Sequence, residues 1–257
     1  MTKLLPAIIG HRGAAADAPE NTIASFREAA RQGAAMVEFD IKLTADGRLV
    51  VMHDDLLDRT TDGKGAVAET PLDAIRALDA GAWFGPDFKG SQVPTLEETV
   101  ALLGELGLAA NIEIKPNPGQ EGETALAAAE LLARHWPMRL PAPVISSFAR
   151  ESLAAMRDQA PDLPRALLLW EKPGDWSAAA RALACRSIHC AARHLTPDWA
   201  AEIKRQGYLL AVYTVNDPDL ARRLRRWGAD SIITDRPGAL SRAEDQATEP
   251  GLTRNPA

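Results

Sequence analysis

Eight short apolar runs, alternating with stretches of helical periodicity, constrain the fold of this chain more than any other feature. The runs end near His11, Lys42, Lys115, Phe148, Trp170, Cys190, Val215 and Thr234. Between them apolar residues recur at helical spacing, as at Ile23, Phe26, Ala29 and Ala30, or across Glu121 to His135. Regular alternation of this kind calls for parallel strands covered by crossover helices. Eight such units in 257 residues fit a closed (β/α)8 TIM barrel of the α/β class. A doubly wound open sheet is the alternative, weakened by the lack of a Gly-rich dinucleotide fingerprint after the first run. With 46% hydrophobic residues the chain can bury one large core, so a single domain over residues 1–241 is expected. The remaining residues, 242–257, are polar and aperiodic and read as a frayed tail.

The rhythm breaks once, after the second run. Met36 to His53 reads as a hairpin in which Glu38, Asp40 and Lys42 share one face and Val37, Phe39 and Ile41 the other. Ala45, Asp46, Gly47 and Arg48 supply the turn, and pairing Thr44 with Leu49 sets Asp40 opposite His53. Residues 54–93 then form a Gly-, Asp- and Thr-rich insertion with one short helical pattern at Pro71 to Leu78, expected to lie over the site.

Barrel chemistry sits at the C-terminal ends of strands. There the first strand ends in His11 and Arg12, the second carries Glu38 and Asp40, and N-I-E-I-K repeats the pattern with Glu113 and Lys115. Three buried carboxylates are costly unless protonated, paired or bound to metal. Three oxygen ligands without cysteine suit a hard divalent cation such as Mg²⁺ or Ca²⁺; a salt-bridge network with Arg12, Lys42 and Lys115 is the competing arrangement. His11 and His53 reach the same rim as a general acid/base pair, and with Arg12 and Lys115 for a developing anion they fit in-line displacement at a phosphate ester. His189 is a candidate substrate contact or a packing residue. Trp83, Phe84, Phe148 and Tyr213 are candidates to wall a pocket for a small polyol.

A formal charge of -6 and a pI near 5.5 argue against nucleic acid or an anionic membrane as partner. The run Arg222, Arg223, Arg225 and Arg226 falls near a helix C-terminus, where a solvated face is the expectation. Two cysteines, no disulfide framework and no apolar segment of secretory or membrane-spanning length point to a cytoplasmic protein.

The same residues carry a family resemblance. G-H-R-G at Gly10 to Gly13, P-E-N-T at Pro19 to Thr22, E-F-D at Glu38 to Asp40, M-H-D-D at Met52 to Asp55 and R-T-T-D-G-K-G at Arg59 to Gly65 resemble the glycerophosphodiester phosphodiesterases. So do D-A-G-A-W-F, V-P-T-L-E-E, I-E-I-K, S-S-F, Y-T-V-N and T-D-R-P, in the same order through Pro237. The resemblance implies a TIM barrel with a small insertion, and hydrolysis of glycerophosphodiesters to sn-glycerol 3-phosphate and an alcohol. It implies Glu38, Asp40 and Glu113 as ligands of one divalent cation, Mg²⁺ first and Ca²⁺ or Mn²⁺ after it. His11 and His53 would be the acid/base pair, with Arg12 and Lys115 on phosphate. The short N-terminus and S-I-H-C-A-A-R-H-L at Ser187 to Leu195 are most similar to cytosolic bacterial members associated with sn-glycerol 3-phosphate uptake. Tyr213 stands where many members have Trp, which bears on substrate preference. A homodimer stays open, as do two other readings: a non-catalytic glycerophosphodiester-binding barrel, and a phospholipase-like enzyme on intact lipid.

Overall fold

A computed structural model describes residues 4–248, with side chains over 4–243. The apolar runs form β1 (Ile8–His11), β2 (Met36–Leu43), β4 (Ala109–Ile114), β5 (Val144–Ser147), β6 (Arg165–Leu169), β7 (Cys185–Ala191), β8 (Leu209–Tyr213) and β9 (Ser231–Thr234); β3 (Leu49–Val51) is the return arm of the hairpin. Helices α1 (Ile23–Arg31), α3 (Leu96–Leu106), α4 (Glu121–His135), α5 (Arg150–Gln159), α6 (Trp176–Ala182), α7 (Pro197–Arg205) and α8 (Pro218–Arg226) lie between them, and α9 (Pro237–Thr248) follows. The hydrogen-bonded order is β1-β9-β8-β7-β6-β5-β4-β2, and a further pairing of β1 with β2 closes the ring into a TIM barrel of eight parallel strands. Because each strand is covered by a helix outside and neighbours inside, nearly every strand residue is buried.

Alternation along the strands sorts the side chains. Val37, Phe39, Ile41, Ile112 and Ile145 pack outward under the helices of one half, and Leu167, Ile188, Cys190, Val212 and Ile232 under those of the other. Inward, the floor of the lumen is apolar, with Ile9, Met36, Val144, Ala166, Ala211 and Ile233. Asn111, Ser146, Ser187, His189 and Ser231 add buried polar side chains on the barrel strands. Glu38, Asp40 and Glu113 complete the upper lumen, so polarity rises toward the strand C-termini, where chemistry is placed in this architecture.

One expectation is corrected by the backbone. The hairpin register is one residue off: Leu43 faces Leu49, Lys42 faces Val50, and Asp40 O accepts from Met52 N at 3.0 Å. Thr44 and Arg48 close a three-residue loop of Ala45, Asp46 and Gly47, with Gly47 left-handed at φ 70. At the end of the chain α9 continues to Thr248, past the start of the expected tail at residue 242; the rest of that tail lies outside the described residues.

The insertion has its own small core of Leu57, Val67, Ile75 and Ala80 against Val50 and Met52 of the hairpin. Its helical pattern is the single short α2 (Leu72–Arg76). It packs against β3, and its Arg59 reaches Glu20 and Asp54 beside the barrel rim.

Candidate active site

The loop after β1 is built from close backbone approaches that only glycine allows. A Cβ on Gly10 would stand 2.3 Å from Gly13 O, and one on Gly13, at φ +92, would stand 2.3 Å from Ser25 Oγ. Arg12 between them is itself left-handed at φ 49, a conformation that costs energy for a residue with a Cβ. The return is that Arg12 N points inward and donates to Glu38 Oε2 at 3.1 Å. Asn21, also left-handed at φ 57, donates from Nδ2 to Asp40 Oδ2 at 2.9 Å. Thr22 then caps α1 by accepting from Ser25 N. These contacts account for G-H-R-G and P-E-N-T as structural units.

Glu38, Asp40 and Glu113 converge as the alternation requires. Asp40 pairs with Glu113 across β2 and β4, all three residues are buried, and an oxygen of each lies within 4.8 Å of the other two. Burial works against ionising any of them. Asp40 nonetheless stays below the usual carboxylate range because Arg12, His53 and Lys115 surround it and Asn21 donates to it. Burial and the Asp40 charge then push Glu38 well up and Glu113 up to about 7. Arg12 Nε lies 3.4 Å from Asp40, and Lys115 Nζ 3.5 Å from Glu113 Oε1, which has no hydrogen-bond partner. The available cations thus leave the trio overcharged and an inward oxygen without a donor. A hard divalent cation fits that donor set.

Both imidazoles are backed by a carboxylate on the same nitrogen. His11 Nδ1 lies 2.6 Å from Asp235 Oδ1, and His53 Nδ1 lies 2.6 Å from Asp54 Oδ1. In the neutral ring Nδ1–H then donates to the carboxylate and Nε2 keeps its lone pair; His11 Nε2 lies 3.9 Å from Glu38 Oε2. His53 reaches the site although the assumed register was wrong, because β3 ends at Val51 and strand alternation no longer governs its direction. Burial holds its pKa below the ordinary value, against the pull of Asp40.

Several of these partners were not singled out from sequence. Asn216 Nδ2 donates to Asp235 Oδ2 at 2.6 Å, while Asn216 Oδ1 accepts from Thr234 and from Asp235 N. That arrangement explains why Y-T-V-N and T-D-R-P occur together. Arg59 from the insertion binds both Glu20 and Asp54, and Glu20 binds Arg12 at 2.6 Å. A single ladder, Arg12–Glu20–Arg59–Asp54–His53, so ties one histidine to Arg12. The signal available was acidic residues beside each motif histidine or arginine; what was missing was the fold that pairs them.

A cavity of about 800 Å³ opens over the rim, lined by His11, Arg12, His53, Glu113 and Lys115 from the side of β1, β2 and β4 and by Trp170, Arg193, Tyr213, Arg223 and Trp227 from the side of β6 to β8, with Phe148 between them. Trp83 is not among the lining residues: its Nε1 donates to Ala80 O at 2.9 Å and its ring meets Phe84 edge-on, so it belongs to the insertion's own packing. Nor does His189 line the cavity. It lies fully buried, 3.1 Å from Ser187 Oγ, and burial lowers its pKa to about 3. Arg223, expected on a solvated face, lies in the wall.

The family model described as glycerophosphoryl diester phosphodiesterase family matches residues 11–239. A glycerophosphodiester phosphodiesterase of Caldanaerobacter subterraneus subsp. tengcongensis is 38% identical over 240 residues, covering 91% of this chain and 95% of that protein. One from Bacillus subtilis is 36% identical over 252 residues, covering 89% and 83%. Among solved structures, an Oleispira antarctica phosphodiesterase in complex with its product sn-glycerol-3-phosphate superposes with a TM-score of 0.91 at 37% identity, over 94% of this chain and 97% of that one.

Proposed function

The chain belongs to the glycerophosphoryl diester phosphodiesterase family, and on that footing we propose that it hydrolyses glycerophosphodiesters to sn-glycerol 3-phosphate and an alcohol. The observation that carries this reading is the pair of imidazoles, each with Nδ1 on its own aspartate, beside a buried trio of carboxylates. A module that only binds its ligand has no use for two proton-carrying groups held in this way. Glu38, Asp40 and Glu113 would hold a hard divalent cation, Mg²⁺, Mn²⁺ or Ca²⁺, which when bound supplies Lewis-acid charge to the phosphoryl oxygens.

The chain's own residues do the rest. Arg12, fixed by Glu20 and Asp40, and Lys115 balance charge building on the phosphoryl group. His11 and His53, each with Nδ1 on its own aspartate, form the acid/base pair: one accepts the proton of the attacking hydroxyl, from water or from the substrate's own glycerol, and the other donates to the leaving oxygen. Phe148 and Tyr213 pack against the carbon skeleton, Tyr213 held by donating its hydroxyl to Leu169 O at 3.0 Å. Two free, buried cysteines support a reducing, cytoplasmic setting, and no helix among the described residues is long and apolar enough to cross a membrane.

The test is release of sn-glycerol 3-phosphate from a panel of glycerophosphodiesters, with and without chelator and with each cation restored. His11→Ala and His53→Ala are expected to lose most of the turnover while still binding the cation. Turnover that survives exhaustive chelation would remove the cation from the reading, and near-normal turnover in both variants would remove the histidines.

A further inference from the structure

The cavity has two halves of different chemistry. The acid trio and both histidines belong to β1, β2 and β4 and the loops that follow them. Across the barrel, the loops after β6, β7 and β8 and helix α8 raise Trp170, Arg193, Arg223 and Trp227. A phosphorus atom held between the histidines therefore directs one ester arm toward this second wall.

Exposed Trp170 and Phe148 and partly buried Trp227 around one opening would, taken alone, suggest a cage for a quaternary ammonium group. Each of them already faces a cation. Arg193 lies over the Trp170 ring with Cζ 5.1 Å from the centroid, Arg223 over Trp227 at 5.7 Å, and Lys115 Nζ lies 5.7 Å from the Phe148 centroid. A second cation brought here would meet positive charge, with Glu113 the one carboxylate among the lining residues and committed to the trio.

Stacking also fixes the two guanidiniums without using their N–H groups. Among the described residues neither Arg193 nor Arg223 has an ion pair or hydrogen bond, in contrast to Arg222 on Asp219. Asp217 feels the charge of Arg223, but its side chain caps α8. A guanidinium held flat on an aromatic ring with its edge unpaired is suited to a carboxylate or phosphate, which accepts two parallel N–H donors.

Resting on the diesterase reading above, we propose that Trp170–Arg193 and Arg223–Trp227 form a leaving-alcohol subsite that selects alcohols bearing an anionic group, phosphate or carboxylate, and disfavours cationic ones. Arg193 and Arg223 are specificity-determining residues in this assignment, not catalytic ones.

The experiment compares kcat/KM at low ionic strength for four diesters of glycerol 3-phosphate whose second alcohol is glycerol, glycerate, glycerol phosphate or choline. For the intact enzyme the glycerol phosphate and glycerate esters are expected to exceed the choline ester by at least about tenfold, with the glycerol ester between. In R193Q/R223Q, whose fold is checked by its melting temperature, the anionic-to-cationic ratio should collapse toward one. Equal kcat/KM for the anionic and choline esters in the intact enzyme, or an unchanged ratio in the double variant, overturns the subsite while the diesterase reading stands. No turnover of any of the four overturns both.

Discussion

Replacing Glu113 by Gln should make the cation-free protein more stable at alkaline pH and abolish its response to the cation. Folding carries Glu113 from an ordinary carboxylate, ionising near 4.5, to one ionising at about 7, because burial and Asp40 oppose its charge. The sign follows directly. Below pH 4.5 both states are protonated and nothing is lost; as pH rises to 7 the unfolded chain ionises first, and stability falls. The gap corresponds to about 3 kcal/mol, fully lost above pH 7. Gln keeps the shape of the neutral acid and cannot ionise, so Glu113→Gln in chelator at pH 8 should melt roughly 5–10 °C above the wild type, with the difference shrinking toward pH 5. Adding cation at a hundred times its Kd should raise the wild type by about 2.7 kcal/mol and the variant by far less. The assay is thermal unfolding by circular dichroism across pH, with chelator or with Mg²⁺, Mn²⁺ or Ca²⁺. A variant that melts below the wild type at pH 8 in chelator, and gains as much from cation, would falsify the trio as both a strained carboxylate cluster and a cation site.

Three further outcomes follow from the geometry. Asp235→Asn keeps the shape behind His11 but removes the charge that stabilises its imidazolium, so kcat should drop by roughly a hundredfold with an altered pH profile; an unchanged pH profile would show that Asp235 only fills space. His189 ionises at about 3 in the fold and near 6.5 outside it, so the wild type loses stability as pH falls below 6.5. Relative to His189→Gln, it should lose about 2 kcal/mol between pH 7 and pH 5 in urea titrations, and parallel pH curves would place that side chain in contact with solvent. Gly13→Ala forces a Cβ onto Ser25 Oγ at φ +92 and should cost about 2–3 kcal/mol along with activity, since the same loop aims Arg12 N at Glu38; a neutral substitution would mean that the loop is not held as described.

Much of this protein is a matter of periodicity, and periodicity is local. The repeat of two in M-V-E-F-D-I-K-L and N-I-E-I-K places Glu38, Asp40 and Glu113 on the inner face of adjacent strands whatever the remainder of the chain does, and eight alternations leave the barrel as the economical closure. His53 is instructive because it reached the site for a reason other than the one assumed. The hairpin loop holds three residues, not four, and the strand ends before His53, so neighbouring loops orient it.

What depended on the tertiary structure is everything joined across long sequence separations. Asp235 meets His11 from 224 residues away, Arg59 meets Glu20 from 39, and Arg193 and Arg223 face the trio only because the barrel closes. Trp83 left the cavity because its indole N–H is tied to Ala80 O within the insertion and its exposed ring rests on Phe84, and His189 faced inward but too deep in the lumen. Side-chain direction along a strand is set by backbone geometry within a few residues and is therefore written in the sequence. Depth in the lumen, the partner behind each histidine and the charge of the far wall are set by which strands become neighbours, and no local pattern encodes that.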